Sequence, residues 1–224
     1  RRCNPGKPRR YKSTHDDNPS LTPEYMATLD ALTGARYSRL RLGLWVGMEN
    51  AVYPQLDPSV QLGALPEPVR WETGAIGVDY GKVHLSAVVA ITRDSTGIVW
   101  VRECWAEHGG NLQSIEDAAR GQKVRYKITR GKTDPIQEVL AQRLGWETAK
   151  SGAGTRNQRV GLVTKLLDAK ALRFDIDGPG VRELFDEALS YRYEQRETDF
   201  NVEDVVVRKD DDRVAALEYA VEAL

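Results

Sequence analysis

The sequence predicts an α/β protein built on a mixed sheet, with three antiparallel strands first and helices on both faces. Three observations predict it. Apolar, β-rich runs crowd together from Gly74 to Trp105 with only short polar breaks. Strand-like and helix-like segments then alternate to the C-terminus, the pattern of helices covering a sheet. The chain has 224 residues, 41% of them hydrophobic, enough to pack the core of such a sheet.

AIGVDY (75–80), LSAVVAIT (85–92) and IVWVRECW (98–105) are the first three strands. GKVH and RDSTG separate them and are short enough for antiparallel hairpins, so the three form a meander. A helix follows at about 111–120, then a strand at KVRYKIT (123–129), then a helix at about 135–144 that Gly145 ends. The polar stretch SGAGTRNQ leads into a helix near 157–169, a short strand LRFD (172–175) and a helix at about 179–189. One more strand, DVVVRK (204–209), runs directly into the last helix. No internal repeat of solenoid length is present.

Residues 1–73 read differently. NPGKP, DDNPSLTP, YPQLDP and GALPEP break short apolar pieces with Pro and Gly. Only Pro23 to Leu32 reads as a clear helix, with Thr22 as N-cap, Pro23 at the first helical position and a stop near Gly34. This division makes residues 1–73 a connecting segment and residues 74–224 the domain proper, in a chain that reads as a piece of something longer.

Composition excludes several classes. No stretch approaches the roughly eighteen apolar residues that span a bilayer, and RRCNPGKPRR lacks the apolar run of a signal peptide. Cys3 and Cys104 have no disulfide framework or zinc spacing around them. The net charge of −1 hides an uneven distribution: residues 1–14 carry six basic side chains and no acid, whereas the last thirty are rich in Asp and Glu. A basic arm can follow phosphate, but an acidic cluster needs cations between itself and phosphate.

The acids carry the chemistry. Asp79 ends the first strand within GVDYG, where Gly77 and Gly81 permit close approach of a backbone or a phosphate. Read alone, it is equally an ordinary Asp before a glycine turn. The last helix is headed by DDD; Val214, Leu217, Val221 and Leu224 recur at spacings of three and four, and Asp211 lies three residues before that stripe with Asp212 beside it. The helix dipole favours acids in a first turn by about 0.3–1 kcal/mol each, which accounts for one capping Asp but not for a crowd beside the buried stripe. Asp134 in RGKTDP, at the head of the next helix, is the candidate third acid, although Asp before Pro135 also makes a good N-cap. Carboxylates gathered from separate parts of a sheet, with few His and no Cys, suit Mg²⁺ or Mn²⁺. Two such ions about 3.5–4 Å apart support phosphodiester cleavage.

Other signals are weaker. GKT at 131–133 is not a P-loop, because the glycine required five residues before Gly131 is Tyr126. His84 is a candidate water-orienting group or ligand partner, set against the simpler reading of a turn histidine. Lys82, Lys132, Arg156 and Arg159 are the candidate contacts to DNA phosphate, although exposed basic residues are commonplace. The five Trp residues are scattered without a stacking pattern and read as core or interface anchors.

The order of elements and acids resembles a known family. The meander opening with GVDYG, the later TDP, and the final helix with DDD and VAALEYA resemble the C-terminal nuclease domain of tailed-bacteriophage terminase large subunits. STHDDNPSLTPEYMATLDAL and LGLWVGMENAVYPQLDP look like the segment that joins the packaging ATPase to the nuclease there. The resemblance implies an RNase H-like fold of the RuvC type and a two-metal Mg²⁺ or Mn²⁺ endonuclease that cuts concatemeric viral DNA during genome packaging. It matches Asp79, Asp211 and Asp212 to the family's metal-binding acids. The family's middle acid ends the fourth strand, whereas Asp134 comes a few residues after the strand assigned here. It further implies double-stranded DNA, a portal protein, a small terminase subunit and an ATPase domain as partners, and action in the host cytoplasm on the procapsid. The Walker motifs are absent, so this chain alone is not expected to hydrolyse ATP. The competing readings are a RuvC-like junction resolvase and a non-catalytic DNA- or portal-docking module. An actin-like sugar kinase would need a duplicated domain that the sequence lacks.

Overall fold

The structure is a computed structural model and describes residues 20–23, 25–26, 50–81, 84–197, 202–206 and 211–224. Seven strands form the main sheet: β1 (Leu62–Gly63), β2 (Trp71–Asp79), β3 (Leu85–Asp94), β4 (Val99–His108), β5 (Arg130–Thr133), β6 (Glu147–Thr148) and β7 (Leu172–Asp175). They are ordered β1-β7-β4-β3-β2-β5-β6. β3 runs antiparallel to β2 and β4, while β5 lies parallel to β2 and β7 parallel to β4. The meander is therefore the centre of the sheet, and the parallel strands extend it on both sides. A separate hairpin pairs β8 (Tyr193–Glu197) with β9 (Val202–Val206).

The helices are α1 (Pro58–Gln61), α2 (Leu112–Tyr126), α3 (Glu138–Leu144), α4 (Thr155–Asp168), α5 (Val181–Ser190) and α6 (Asp212–Ala223). The period-two alternation of the strands sorts their side chains between two cores. Ala75, Ala87, Val89 and Ile91 face α4, α5 and α6. Ile76, Val78, Val88 and Ala90 face α2 and α3. β3 is covered on both sides, which is why its sequence is a continuous apolar run.

Two expectations about elements change. The stretch KVRYKIT is not a strand: α2 continues through Tyr126, Lys127 closes it in the left-handed region at φ 55°, and the strand comes afterwards at 130–133. Val124, within this stretch, is 79% exposed. Partners distant in sequence favour the helix. Gln122 donates to the Val88 carbonyl at 3.1 Å, the Tyr126 hydroxyl donates to Glu103 at 2.9 Å, and Arg125 pairs with Glu103. Of the strand expected at 204–209, residues 204–206 belong to β9, which pairs with the β8 strand that the sequence did not predict, and the rest lies outside the described residues.

Packing also crosses the 73/74 boundary. Val52, Tyr53 and Leu56 are buried in the core beneath α6, and β1 pairs with β7. Of the helix expected at Pro23–Leu32, the start is described: the Thr22 hydroxyl accepts the Tyr25 N–H at 3.3 Å and its carbonyl accepts the Met26 N–H at 3.0 Å. The rest lies outside the described residues. Cys104 is buried, and burial pushes its thiol up to about 12, so it is an unreactive core residue.

Candidate functional site

Asp79 is the last residue of β2 and lies two residues beyond Gly77, on the face that α6 covers. Gly77 lets the α6 backbone rest directly on the strand, because any side chain there would meet Ala216 and Ala220. The head of α6 is thereby brought to the end of β2. β5 runs parallel beside β2 in a register that pairs Val78 with Thr133, and the Asp134 N–H donates to the Val78 carbonyl at 2.9 Å. Asp134 therefore follows its strand directly, beside Asp79. One of its carboxylate oxygens accepts the Ile136 N–H at 2.8 Å, forming a turn ahead of α3 rather than a helix cap.

Asp211 is the N-cap residue of α6 and Asp212 its first residue. The Asp211 carboxylate does not cap the helix; it pairs with Arg156, near the N-terminus of α4. Arg156 also donates to the Tyr191 hydroxyl, from Nε at 3.1 Å and from Nη2 at 2.6 Å. Burial opposes its charge, but Tyr191, Asp211 and Glu218 more than offset that and hold the guanidinium protonated.

Asp79, Asp134 and Asp211 line one cavity of about 510 Å³, together with the loop 150–154, the first turn of α4 and Glu218. Asp79 feels this crowding: burial, then the charges of Asp134, Asp212 and Asp211, raise its carboxyl well above the usual carboxylate range, while Arg156 lowers it. The donors are oxygen atoms on half-buried acids whose charges oppose one another, which suits a hard divalent cation in chemistry and location. Among the described residues, however, no group of three or more His, Cys, Asp or Glu side chains is gathered closely enough to hold a metal. Asp210, the first acid of the run, lies outside them.

The other candidates are dispersed. His84 is exposed in the β2–β3 connection, where its carbonyl accepts the Gly109 N–H at 3.0 Å. Lys82 lies outside the described residues. Lys132 is only 14% exposed and pairs with Glu222 at 3.3 Å and Glu147 at 3.6 Å. Arg159 lines the cavity but is buried, lies over the Tyr219 ring, donates to the Lys150 carbonyl and approaches Glu222. The charges of Lys132 and Arg159 are largely compensated within the protein.

Glu218 is the residue that sequence reasoning missed. It is 1% exposed, accepts the Tyr53 hydroxyl at 2.9 Å, and burial pushes its carboxyl up to about 7. The signal was its spacing: it lies seven residues, about two helical turns, after Asp211 and so shares that face.

This sheet order, with a three-stranded antiparallel centre and parallel flanks, is the RNase H-like fold of large-terminase nuclease domains. The large terminase of one thermophilic bacteriophage matches over 93% of this chain with a TM-score of 0.64 and 20% identity. This chain spans 54% of that protein's length. The large-terminase nuclease of thermophilic phage G20c, solved with bound magnesium, matches over 78% of this chain and 98% of its own, with a TM-score of 0.56 and 17% identity. The nuclease domain of bacteriophage SPP1 large terminase, solved with bound Mn, matches over 79% and 98% with a TM-score of 0.52 and 20% identity. No protein-family profile and no curated protein sequence matches the chain. Among the described residues no helix is long and apolar enough to cross a membrane.

Proposed function

We propose that this chain is the nuclease part of a large terminase, a metal-dependent endonuclease that cuts concatemeric phage DNA during packaging. The observation that carries the proposal is the meeting of Asp79 from the end of β2, Asp134 from just beyond β5 and Asp211 from the head of α6 around one cavity. Solved domains of the same fold hold Mg or Mn, which supports the same ions here.

Asp79, Asp134, Asp211 and Asp212 would hold the cations, and two ions there would supply a nucleophilic oxygen at neutral pH and neutralise the leaving oxygen of a phosphodiester. The remaining work falls to the chain. β2 and β5 fix Asp79 and Asp134 as neighbours through the Asp134–Val78 hydrogen bond. α6, lying on Gly77, fixes the height of Asp211 and Asp212 above them. The loop 150–154 and the first turn of α4 also line the cavity, and Lys150 there adds positive charge toward which a DNA phosphate is drawn. Double-stranded DNA is then held without base readout, and the portal protein, small subunit and ATPase domain belong to the complete motor. The burial of Val52, Tyr53 and Leu56 in the same core supports a domain that begins before residue 74.

The test is Mg²⁺- or Mn²⁺-dependent nicking of plasmid DNA. Asp79→Asn should fold normally and lose the activity; undiminished cleavage would refute the assignment. A second reading, a docking module without catalysis, is favoured by the Arg156–Asp211 pair and by the ungathered carboxylates. Calorimetric titration with Mn²⁺ separates the two, since a vestigial site should take up no ion.

A further inference from the structure

We propose that Arg156 is the resident counter-ion of the carboxylate cluster: it occupies the place on Asp211 that a divalent cation would take, and must leave Asp211 before that cation binds. The proposal rests on the metal reading of the site given above.

Two observations carry it. Arg156, in the first turn of α4, and Asp211, at the head of α6, line the same cavity as Asp79 and Asp134 and pair with each other there. Arg156 is held there from behind by two hydrogen bonds to the hydroxyl of Tyr191, itself only 4% exposed. A carboxylate oxygen engaged by a guanidinium has no free lone pair in that direction, and arginine does not release its partner by losing a proton. Displacement is the way out. If the pair is formed nine-tenths of the time, the apparent cation affinity is lowered about tenfold.

The experiment is Mn²⁺ titration calorimetry of the whole chain and three variants, with circular dichroism to establish folding. Arg156→Gln should bind Mn²⁺ about tenfold more tightly than the unaltered protein. Arg156→Lys keeps the charge but cannot span Asp211 and the Tyr191 hydroxyl together, so it should also bind more tightly. Tyr191→Phe removes the rear anchor and should tighten binding by a smaller factor. It carries the test if the Arg156 variants do not fold: unchanged affinity in Tyr191→Phe would then overturn the proposal. If the unaltered protein binds Mn²⁺ and neither Arg156 variant binds it more tightly, the proposal fails while the metal reading stands. A gain in Arg156→Gln without one in Arg156→Lys would mean repulsion at a distance, and direct occupancy is overturned. Absence of binding in every protein overturns both readings.

Discussion

Gly77 and Ala216 lie so close that a β-carbon on Gly77 would fall 1.9 Å from the Ala216 carbonyl oxygen and 2.3 Å from the Ala220 nitrogen. Both obstacles are helix backbone, which cannot rotate away as a side chain can. The contact sets the distance between the strand that ends in Asp79 and the helix headed by Asp211 and Asp212. Glycine at this position serves the site through packing, two residues from the acid.

Gly77→Ala should therefore act on stability and on metal binding together. Overpacking a core costs typically 1–3 kcal/mol, and this overlap with backbone belongs at or above the upper end, at about 3 kcal/mol or more. Urea denaturation measures the loss. Mn²⁺ titration of the fraction that remains folded should show at least tenfold weaker binding, because α6 can admit the methyl group only by lifting its head from β2. Native-like affinity would show that the spacing is set elsewhere.

Asp134→Asn separates the turn from the charge. The amide oxygen can still accept the Ile136 N–H, and one of the carboxylates raising Asp79 is gone. Thermal melting should shift little, or upward, while Mn²⁺ affinity falls at least tenfold. A large loss of stability without a change in metal binding would assign Asp134 to the turn alone.

Glu218 gives the domain a pH dependence of definite sign. Burial raises its carboxyl to about 7 from an ordinary value of 4.5. Between these values the folded state binds more protons than the unfolded state, so the contribution is fully present below pH 4.5 and is lost as pH rises through 7. The full loss is on the order of 3 kcal/mol. Asp79 and Glu187, also raised by burial, add in the same direction. Asp94 and Glu116 are lowered by their hydrogen bonds and act only at lower pH, where their contributions fade as pH falls. Urea denaturation from pH 5 to 8 should show stability falling, and Glu218→Gln should flatten the slope. An unchanged slope in that variant would remove Glu218 as its source.

Lys132→Gln distinguishes an internal ion pair from a DNA contact. With its charge already facing Glu222 and Glu147, its loss should cost about 1–2 kcal/mol of stability, since Arg159 remains near Glu222. DNA affinity and its salt dependence should change little. A salt slope reduced by about one would instead put Lys132 on a phosphate.

Much of the fold was legible because it is written locally. The apolar runs at 75–80, 85–92 and 98–105 fall within β2, β3 and β4, give or take a residue at their ends, and LRFD is β7 residue for residue. Where local signals compete, tertiary contact decides. KVRYKIT alternates like a strand, yet Gln122, Arg125 and Tyr126 find partners on β3 and β4 only as part of a helix. That shift moves the strand to 130–133 and explains why Asp134, which had followed its assigned strand too late, directly follows the real one.

By itself the sequence determined the central meander, the apolar stripe of the last helix, and the presence of acids at strand ends and a helix head, because period and residue type depend on near neighbours. Only the tertiary structure decided that Arg156 faces Asp211 rather than solvent, that Glu218 lies buried against Tyr53, and that Val52, Tyr53 and Leu56 pack into the core. Those outcomes depend on what segments 55 to 165 residues apart present to one another, which no local pattern encodes.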